Sequence, residues 1–318
     1  MPTDVERYFR RVLLSDETKH GPDHPYVARS LHNLAQLLRG TNRLPEAESM
    51  LRQALAIAEK SCGPGHPDVA EILSDLAQLL QATNRNPEAE PMFRRALAIS
   101  EKFYGPNHPA VPAFHADLAH ALRAANRLLE AEPPMRRALA ICEKLYGPVD
   151  SSVAMSLNNL AQLMLDVNRI PEAELMMRRA LSISEKLSSH ADVARDLNNL
   201  AQLLQDTNRL TEAEALLRRA VSIDEIMYGI HHLAEYPSMA LRLNNLARLL
   251  QTTNRLTEAD PLYQRALLIK KESLPRHHLS VAKSQENYVD FLTRTNRDVE
   301  AAPLLERTRQ IRAANAYV

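Results

Sequence analysis

Tryptophan is absent, and there are only seven glycines and two cysteines in 318 residues. The glycine scarcity leaves no phosphate-cradling loop, and His-Glu-x-x-His and Gly-x-Ser-x-Gly are missing too. Acids and bases are plentiful, but they repeat in a fixed frame, and a catalytic centre needs singular residues. No enzyme is expected, and no cofactor. Cys62 and Cys142 are too few and too far apart in sequence for a disulfide framework, so a reducing, cytoplasmic setting is expected. The formal net charge is +0. That argues against general binding to nucleic acid or to an anionic membrane, both of which favour a basic excess. No apolar run approaches the roughly 18 residues a membrane helix needs. Met1 to Glu6 contain no basic segment leading into an apolar one, so no signal peptide is expected.

The chain does have a repeat. Asn-Arg recurs at Asn42-Arg43, Asn84-Arg85, Asn126-Arg127, Asn168-Arg169, Asn208-Arg209, Asn254-Arg255 and Asn296-Arg297, with spacings of 42, 42, 42, 40, 46 and 42. An apolar-periodic stretch stands before each mark and another after it. Leu157, Leu160, Ala161 and Met164 fall at i, i+3, i+4 and i+7, one stripe of an amphipathic helix. Ala173, Met177, Ala180 and Leu181 form the matching stripe. The unit is therefore helix A, tight turn, helix B, loop. No segment sustains a period of two, so strands are not expected. Alanine recurs at Ala35, Ala77, Ala119, Ala161, Ala201 and Ala247 on helix A, and at Ala47, Ala89, Ala131, Ala173, Ala213, Ala259 and Ala301 on helix B, where it allows close approach of two axes.

The turns carry their own chemistry. Asparagine tolerates the left-handed conformation that ends many helices, so Asn42 and its equivalents are expected to terminate helix A. Pro45, Pro87 and Pro171 suit the first turn of helix B. Thr211 with Glu214, and Thr257 with Asp260, read as capping boxes. Thr3 to Glu6 align with the start of a helix B. The chain is thus expected to be one domain over residues 1–318. A capping helix B spans 1–20, and seven pairs follow at 25–61, 67–103, 109–145, 151–187, 191–227, 237–273 and 279–313.

The run Leu-Asn-Asn-Leu-Ala, then Glu-Ala-Glu, Arg-Arg-Ala-Leu and Tyr-Gly-Pro-x-His-Pro, resembles the 42-residue tetratricopeptide repeat of kinesin light chains and their bacterial look-alikes. The resemblance implies an all-α, right-handed solenoid. It further implies a non-catalytic scaffold whose A helices line a concave groove that holds a peptide or helical segment of a partner protein. The resemblance places Asn158, Asn159, Asn198, Asn199, Asn244 and Asn245 in that groove. Gln162, Gln202 and Arg248, one turn on, extend the polar stripe. The first three repeats read His32-Asn33, Ser74-Asp75 and Ala116-Asp117 instead, so recognition there would differ. No heptad coiled coil is present, so no motor role is implied. The alternative is a structural module that associates with copies of itself through its ends.

Other constellations favour plainer readings. Arg94-Arg95, Arg136-Arg137, Arg178-Arg179 and Arg218-Arg219 could form a phosphate ladder. However, Glu90, Glu132, Glu174 and Glu214 stand four residues before the first arginine of each pair, the favourable order for a helix-surface ion pair. His24, His66 and His108 precede proline and read as turn residues. His231, His232 and Glu235, like His277 and His278, lack the further ligands a metal needs, so no metal site is expected. The cysteines read as inert small apolar residues. Gly229 to Pro237 depart from the loop consensus at the 46-residue spacing, and a looser joint is expected there.

Overall fold

A computed structural model describes residues 4–228, 237–274 and 278–315. The described residues form fifteen helices and no strand. They are α1 (Asp4–His20), α2 (Pro25–Gly40), α3 (Leu44–Cys62), α4 (Pro67–Ala82), α5 (Asn86–Tyr104), α6 (Val111–Ala124), α7 (Leu128–Tyr146), α8 (Ser151–Asp166), α9 (Ile170–Lys186), α10 (His190–Asp206), α11 (Leu210–Tyr228), α12 (Pro237–Thr252), α13 (Leu256–Ser273), α14 (Leu279–Arg294) and α15 (Asp298–Asn315). Even-numbered helices are the A helices of the repeat and odd-numbered ones the B helices. The chain divides into two compact units, Met1–Arg169 and Ile170–Val318. None of the described helices is long and apolar enough to cross a membrane.

Each A helix ends in the same way. Asn42 has φ 62°, and all six equivalents, down to Asn296 at 58°, share the left-handed conformation. The Arg43 amide donates to Leu38 O at 2.9 Å and the Asn42 amide to Arg39 O at 3.1 Å. These two bonds are a Schellman closure, which satisfies carbonyls that the helix end would otherwise strand. The carbonyl of the same arginine then accepts the first bond of helix B, as Arg43 O does from the Ala47 amide at 3.1 Å. One Asn-Arg pair thus stops one helix and starts the next.

The arginine side chain adds a second layer. Arg43 Nη1 donates to both carboxylate oxygens of Glu6, on the preceding B helix, at 2.8 Å. Arg85 does this with Glu48, Arg127 with Glu90 and Arg169 with Glu132 in the first unit. In the second, Arg209 bonds both oxygens of Glu174, while Arg255 and Arg297 each bond one oxygen, of Glu214 and Asp260. The capping-box reading of Thr257 and Asp260 therefore gives way. Helix α13 begins at Leu256, so Thr257 is already inside it. The Asp260 carboxylate accepts from Arg297, Tyr288 and Gln264. Likewise Thr211 is inside α11, and Glu214 accepts from Arg218 and Arg255.

The alanine stripe is fully buried. Ala35, Ala77, Ala119, Ala161, Ala201 and Ala247 have 0% exposure on the A helices. On the B helices Ala47, Ala89, Ala131, Ala173, Ala213 and Ala259 are 0–1% exposed, and Ala301 is 6% exposed. Histidine caps the A helices: Nδ1 of His24, His66, His108 and His278 accepts the amide two residues on, at 3.1–3.2 Å. Asp150 does the same for α8 through Oδ1. Gly21, Gly63, Gly105 and Gly147, with φ between 80° and 89°, turn the chain out of the B helices. His231, His232, Glu235 and His277, and most of the Gly229 to Pro237 segment, lie outside the described residues.

Candidate functional site

A slot recurs where B helices meet the following A helices, sixteen residues after the turn asparagine on helix B, and it is polar at several joints. Ser30 Oγ donates to Asp16 Oδ2 at 2.5 Å at the first joint. Ala58 and Ile72 make the slot apolar at the second, and Cys142 meets Ser156 at 3.7 Å at the fourth. Within the second unit Ser184 Oγ donates to Asp196 Oδ2 at 2.6 Å, and Arg242 Nη1 to Asp224 Oδ2 at 3.0 Å. At the last joint the slot holds Lys270 and Ser284. Lys270 has no carboxylate at ion-pair distance among the described residues, and burial pushes its ammonium below the usual lysine range.

That lysine opens onto a cleft of about 540 Å³ formed by α10, α12, α13 and α14. Gln202, Asn244, Asn245, Arg248, Lys270 and Lys283 line it, and no aspartate or glutamate is among the lining residues. Lys283 stands 4.0 Å from Glu286 at the rim. Asn244 is 6% exposed, and its Nδ2 donates to Ser284 Oγ at 3.2 Å. Its Oδ1 is buried with no hydrogen-bond partner among the described residues. An unpaired buried carbonyl oxygen costs about 1–3 kcal/mol, so a donor arriving there is favoured. The cleft thus offers ammonium and guanidinium charge and one acceptor in want of a proton.

The structure brings together four of the residues read from the sequence: Gln202, Asn244, Asn245 and Arg248. Asn198 behaves differently. The resemblance placed it in the groove, but it is 5% exposed and its Oδ1 accepts from Asn245 Nδ2 at 2.8 Å. It ties α10 to α12 beneath the cleft. Asn199, on the same helix, is half-buried and does not line the cleft. In the first unit Asn158 and Asn159 are half-buried on α8 and Gln162 is exposed. Lys270 and Lys283 were missed, although the polar slot column, once aligned, singles out Lys270.

On the corresponding face of α2, α4 and α6 in the first unit, polar groups pair with one another. Asp75 accepts from Gln36 at 2.7 Å and from Arg39 at 3.2 Å, and lies 2.5 Å from His32 Nε2. Burial pushes the Asp75 carboxyl up, but the bonds from His32 and Gln36 and the Arg39 charge bring it net below its ordinary value. Asp117 accepts from Ser74 at 2.5 Å and from Gln78 at 3.2 Å. With no cation paired to it, burial dominates and its carboxyl is raised. The neighbouring His120 is lowered, first by burial and then by Arg123.

The arginine pairs are occupied too. Arg94, Arg136, Arg178 and Arg218 each bond the glutamate four residues earlier. Arg95 pairs with Glu59 at 2.6 Å and Arg219 with Glu185 at 2.7 Å. Arg137 donates to Pro106 O and Asn107 Oδ1. This leaves no free ladder for phosphates on those arginines.

Comparison with known proteins agrees with this architecture. The family description "Tetratricopeptide repeat" matches residues 5–60, 43–102, 68–144 and 110–186, and a second description under the same title matches 193–234 and 239–280. Among solved structures, BtubC (BKLC) from P. vanneervenii is 26% identical, covering 72% of this chain and 94% of its own, with a TM-score of 0.62. A putative kinesin light chain from Podosopora anserina, with nearly identical TPR-like repeats, is 27% identical over 64% of this chain and 98% of its own, with a TM-score of 0.57. The apo form of RapI covers 98% of this chain and 81% of its own, with a TM-score of 0.66 at 13% identity, a likeness of fold alone. No curated protein matches the chain.

Proposed function

Because the chain belongs to the tetratricopeptide repeat proteins, with neighbours of the kinesin-light-chain-like type, we propose that it is a non-catalytic scaffold holding an acidic peptide or helical segment of a partner protein. Proteins of this repeat generally mediate protein–protein interactions. The observation that carries the finer reading is the cleft between α10, α12, α13 and α14, which Arg248, Lys270 and Lys283 line with no carboxylate among the described lining residues. A carboxylate side chain of the partner would meet these cations, and a backbone or side-chain N–H would satisfy Asn244 Oδ1. Charge-assisted bonds to such groups contribute about 1.5–3 kcal/mol each where water is excluded. Gln202 and Asn199 would engage the peptide backbone beside it, and Asn158, Asn159 and Gln162 belong to the same proposed amide set in the first unit. Asn198 serves by fixing Asn245.

The test is an array of random peptides probed with the full chain, alongside a variant carrying Arg248→Ala and Lys283→Ala. Retained peptides should be enriched in aspartate and glutamate. Their affinity should fall about tenfold or more in the variant, while its mass and circular dichroism stay unchanged. Retention without acidic enrichment, or with no loss in the variant, would sink the proposal. Absence of retained peptides, together with a mass that grows with concentration, would favour self-association through the ends instead.

A further inference from the structure

The loop from α3 to α4 brings a thiol, an imidazole and a carboxylate together. Cys62, His66 and Asp68 each offer one ligand atom, and these atoms lie within 4.8 Å of one another. His66 Nδ1 is 3.5 Å from Asp68 Oδ1, and Cys62 is half-buried beneath the loop. In a tetrahedral zinc site, bonds of about 2.0–2.3 Å place neighbouring ligand atoms roughly 3.3–3.8 Å apart. Binding therefore requires the exposed Asp68 side chain and Cys62 to close by about an ångström.

Comparison between joints makes the grouping specific to this loop. The residue four before the capping histidine is His20 at the first joint and Tyr104 at the third. Each stacks its ring on that histidine, at 4.7 Å for His20 on His24 and 4.4 Å for Tyr104 on His108. At the second joint Cys62 replaces the ring, so a thiol stands beside the imidazole where the first and third joints place a π-face. The residue two beyond the histidine also changes, from Tyr26 and Ala110 to Asp68. Two substitutions in one loop convert an aromatic stack into a set of three donors.

We propose that Cys62, His66 and Asp68 bind a borderline-soft divalent cation of the zinc type, leaving a fourth position to water. Thiolate and imidazole together select such an ion over magnesium or calcium, which take oxygen donors. Binding replaces the Cys62 thiol proton with the metal and releases that proton to solvent. The imidazole Nδ1 also exchanges its bond from the Asp68 amide, at 3.2 Å, for the metal. That exchange keeps the affinity below that of a dedicated four-ligand site. The bound ion ties the end of α3 to the start of α4 and stiffens the joint between two repeats.

The experiment titrates Co²⁺ into the full chain in a thiol-free reductant and reads the near-ultraviolet thiolate-to-cobalt charge-transfer band. One equivalent of Co²⁺ should produce the band, and Zn²⁺ should abolish it. Cys62→Ser should lose it and Cys142→Ser should keep it, since Cys142 is the only other thiol. His66→Asn retains a side chain that caps helices well, so it separates ligation from folding. That variant and Asp68→Asn should each weaken Co²⁺ by about tenfold or more, with circular dichroism unchanged. The proposal is overturned if no band forms at millimolar Co²⁺, if the band follows Cys142, or if it is indifferent to His66→Asn and Asp68→Asn.

Discussion

Arg127 Nη1 reaches 37 residues back to hold both carboxylate oxygens of Glu90, at 2.6 and 2.7 Å. The backbone of the same arginine closes α6, with its amide on Leu122 O at 2.8 Å. Its Nε meanwhile bonds Glu130, three residues ahead, at 2.7 Å. Position, charge and register of two successive B helices therefore meet in one side chain. Arg127→Ala should lower the urea midpoint measurably, because one guanidinium, though partly exposed, holds carboxylates on both B helices. Arg127→Lys should recover little of that, because an ammonium cannot serve two carboxylates in fork geometry. Urea melts of both variants give the comparison, and equal stability of Arg127→Ala and wild type would refute the ladder's contribution.

The pH dependence should show two opposed contributions. For Glu48, Glu90, Glu132, Glu174 and Glu214, burial pushes the carboxyl up, but guanidinium hydrogen bonds and charge hold it net below its ordinary value. Their stabilisation is present above the unfolded carboxylate pKa of about 4.3 and is lost as pH falls through the lowered folded values. Asp117 runs the other way. Its raised carboxyl contributes stability below the unfolded value that is lost as pH rises through the folded one. Asp117→Asn should therefore remove a decline in stability on the neutral side of pH 4 while leaving the acid limb in place. Urea midpoints across pH 3 to 8 decide this, and parallel curves for the two proteins would count against it.

Much of the architecture was legible because it is written seven times. The left-handed asparagines and the buried alanines each follow from a residue whose local chemistry dictates its place, while the loop histidines, read as turn residues, also cap helices through Nδ1. The long-range partners were less legible. Glu90 reads as the i, i+4 partner of Arg94, which it is, yet nothing local says that Arg127 shares it. The capping boxes failed for the same reason, since Glu214 and Asp260 are held by arginines one repeat ahead. The Asn198-Asn199 pair looked uniform in sequence, but adjacent helix positions point about 100° apart. One asparagine faces the neighbouring helix and the other does not.

The polar slot between Asp224 and Arg242 makes a sharper prediction. Their side chains are 1% and 7% exposed, and Arg242 Nε also donates to Ala194 O at 3.2 Å. Removing the cation alone leaves a buried carboxylate that burial already pushes up. Arg242→Ala should cost about 3–5 kcal/mol. The preceding joint solves the same slot with Ser184 and Asp196. There Asp196 also accepts from Arg195 at 3.2 Å, so the triple variant Asp224→Ser, Leu241→Arg, Arg242→Asp borrows that arrangement and should recover most of the loss. Recovery no better than the single variant would mean the slot is not transferable between joints.

The cleft gives the most decisive comparison, between two adjacent amides on α10. Asn198 accepts from Asn245 in a buried setting, whereas Asn199 is half-buried and carries no such bond. Asn198→Ala strands Asn245 Nδ2, so stability should fall by about 1–3 kcal/mol, the cost of an unpaired buried group. Asn245 then loses its orientation beside Arg248, and affinity for an acidic peptide should fall as well. Asn199→Ala should leave the thermal midpoint nearly unchanged and weaken the peptide through one lost backbone bond, about 5- to 10-fold for roughly 1 kcal/mol. Asn244→Leu tests the unpaired oxygen directly. It removes the buried acceptor together with the bond to Ser284, so its stability cost should stay below that of Asn198→Ala while peptide affinity drops. Thermal melts and peptide titrations on the same three variants separate the roles. If Asn199→Ala and Asn244→Leu both bind like wild type, the face of α10 and α12 is packing alone, and the partner docks elsewhere.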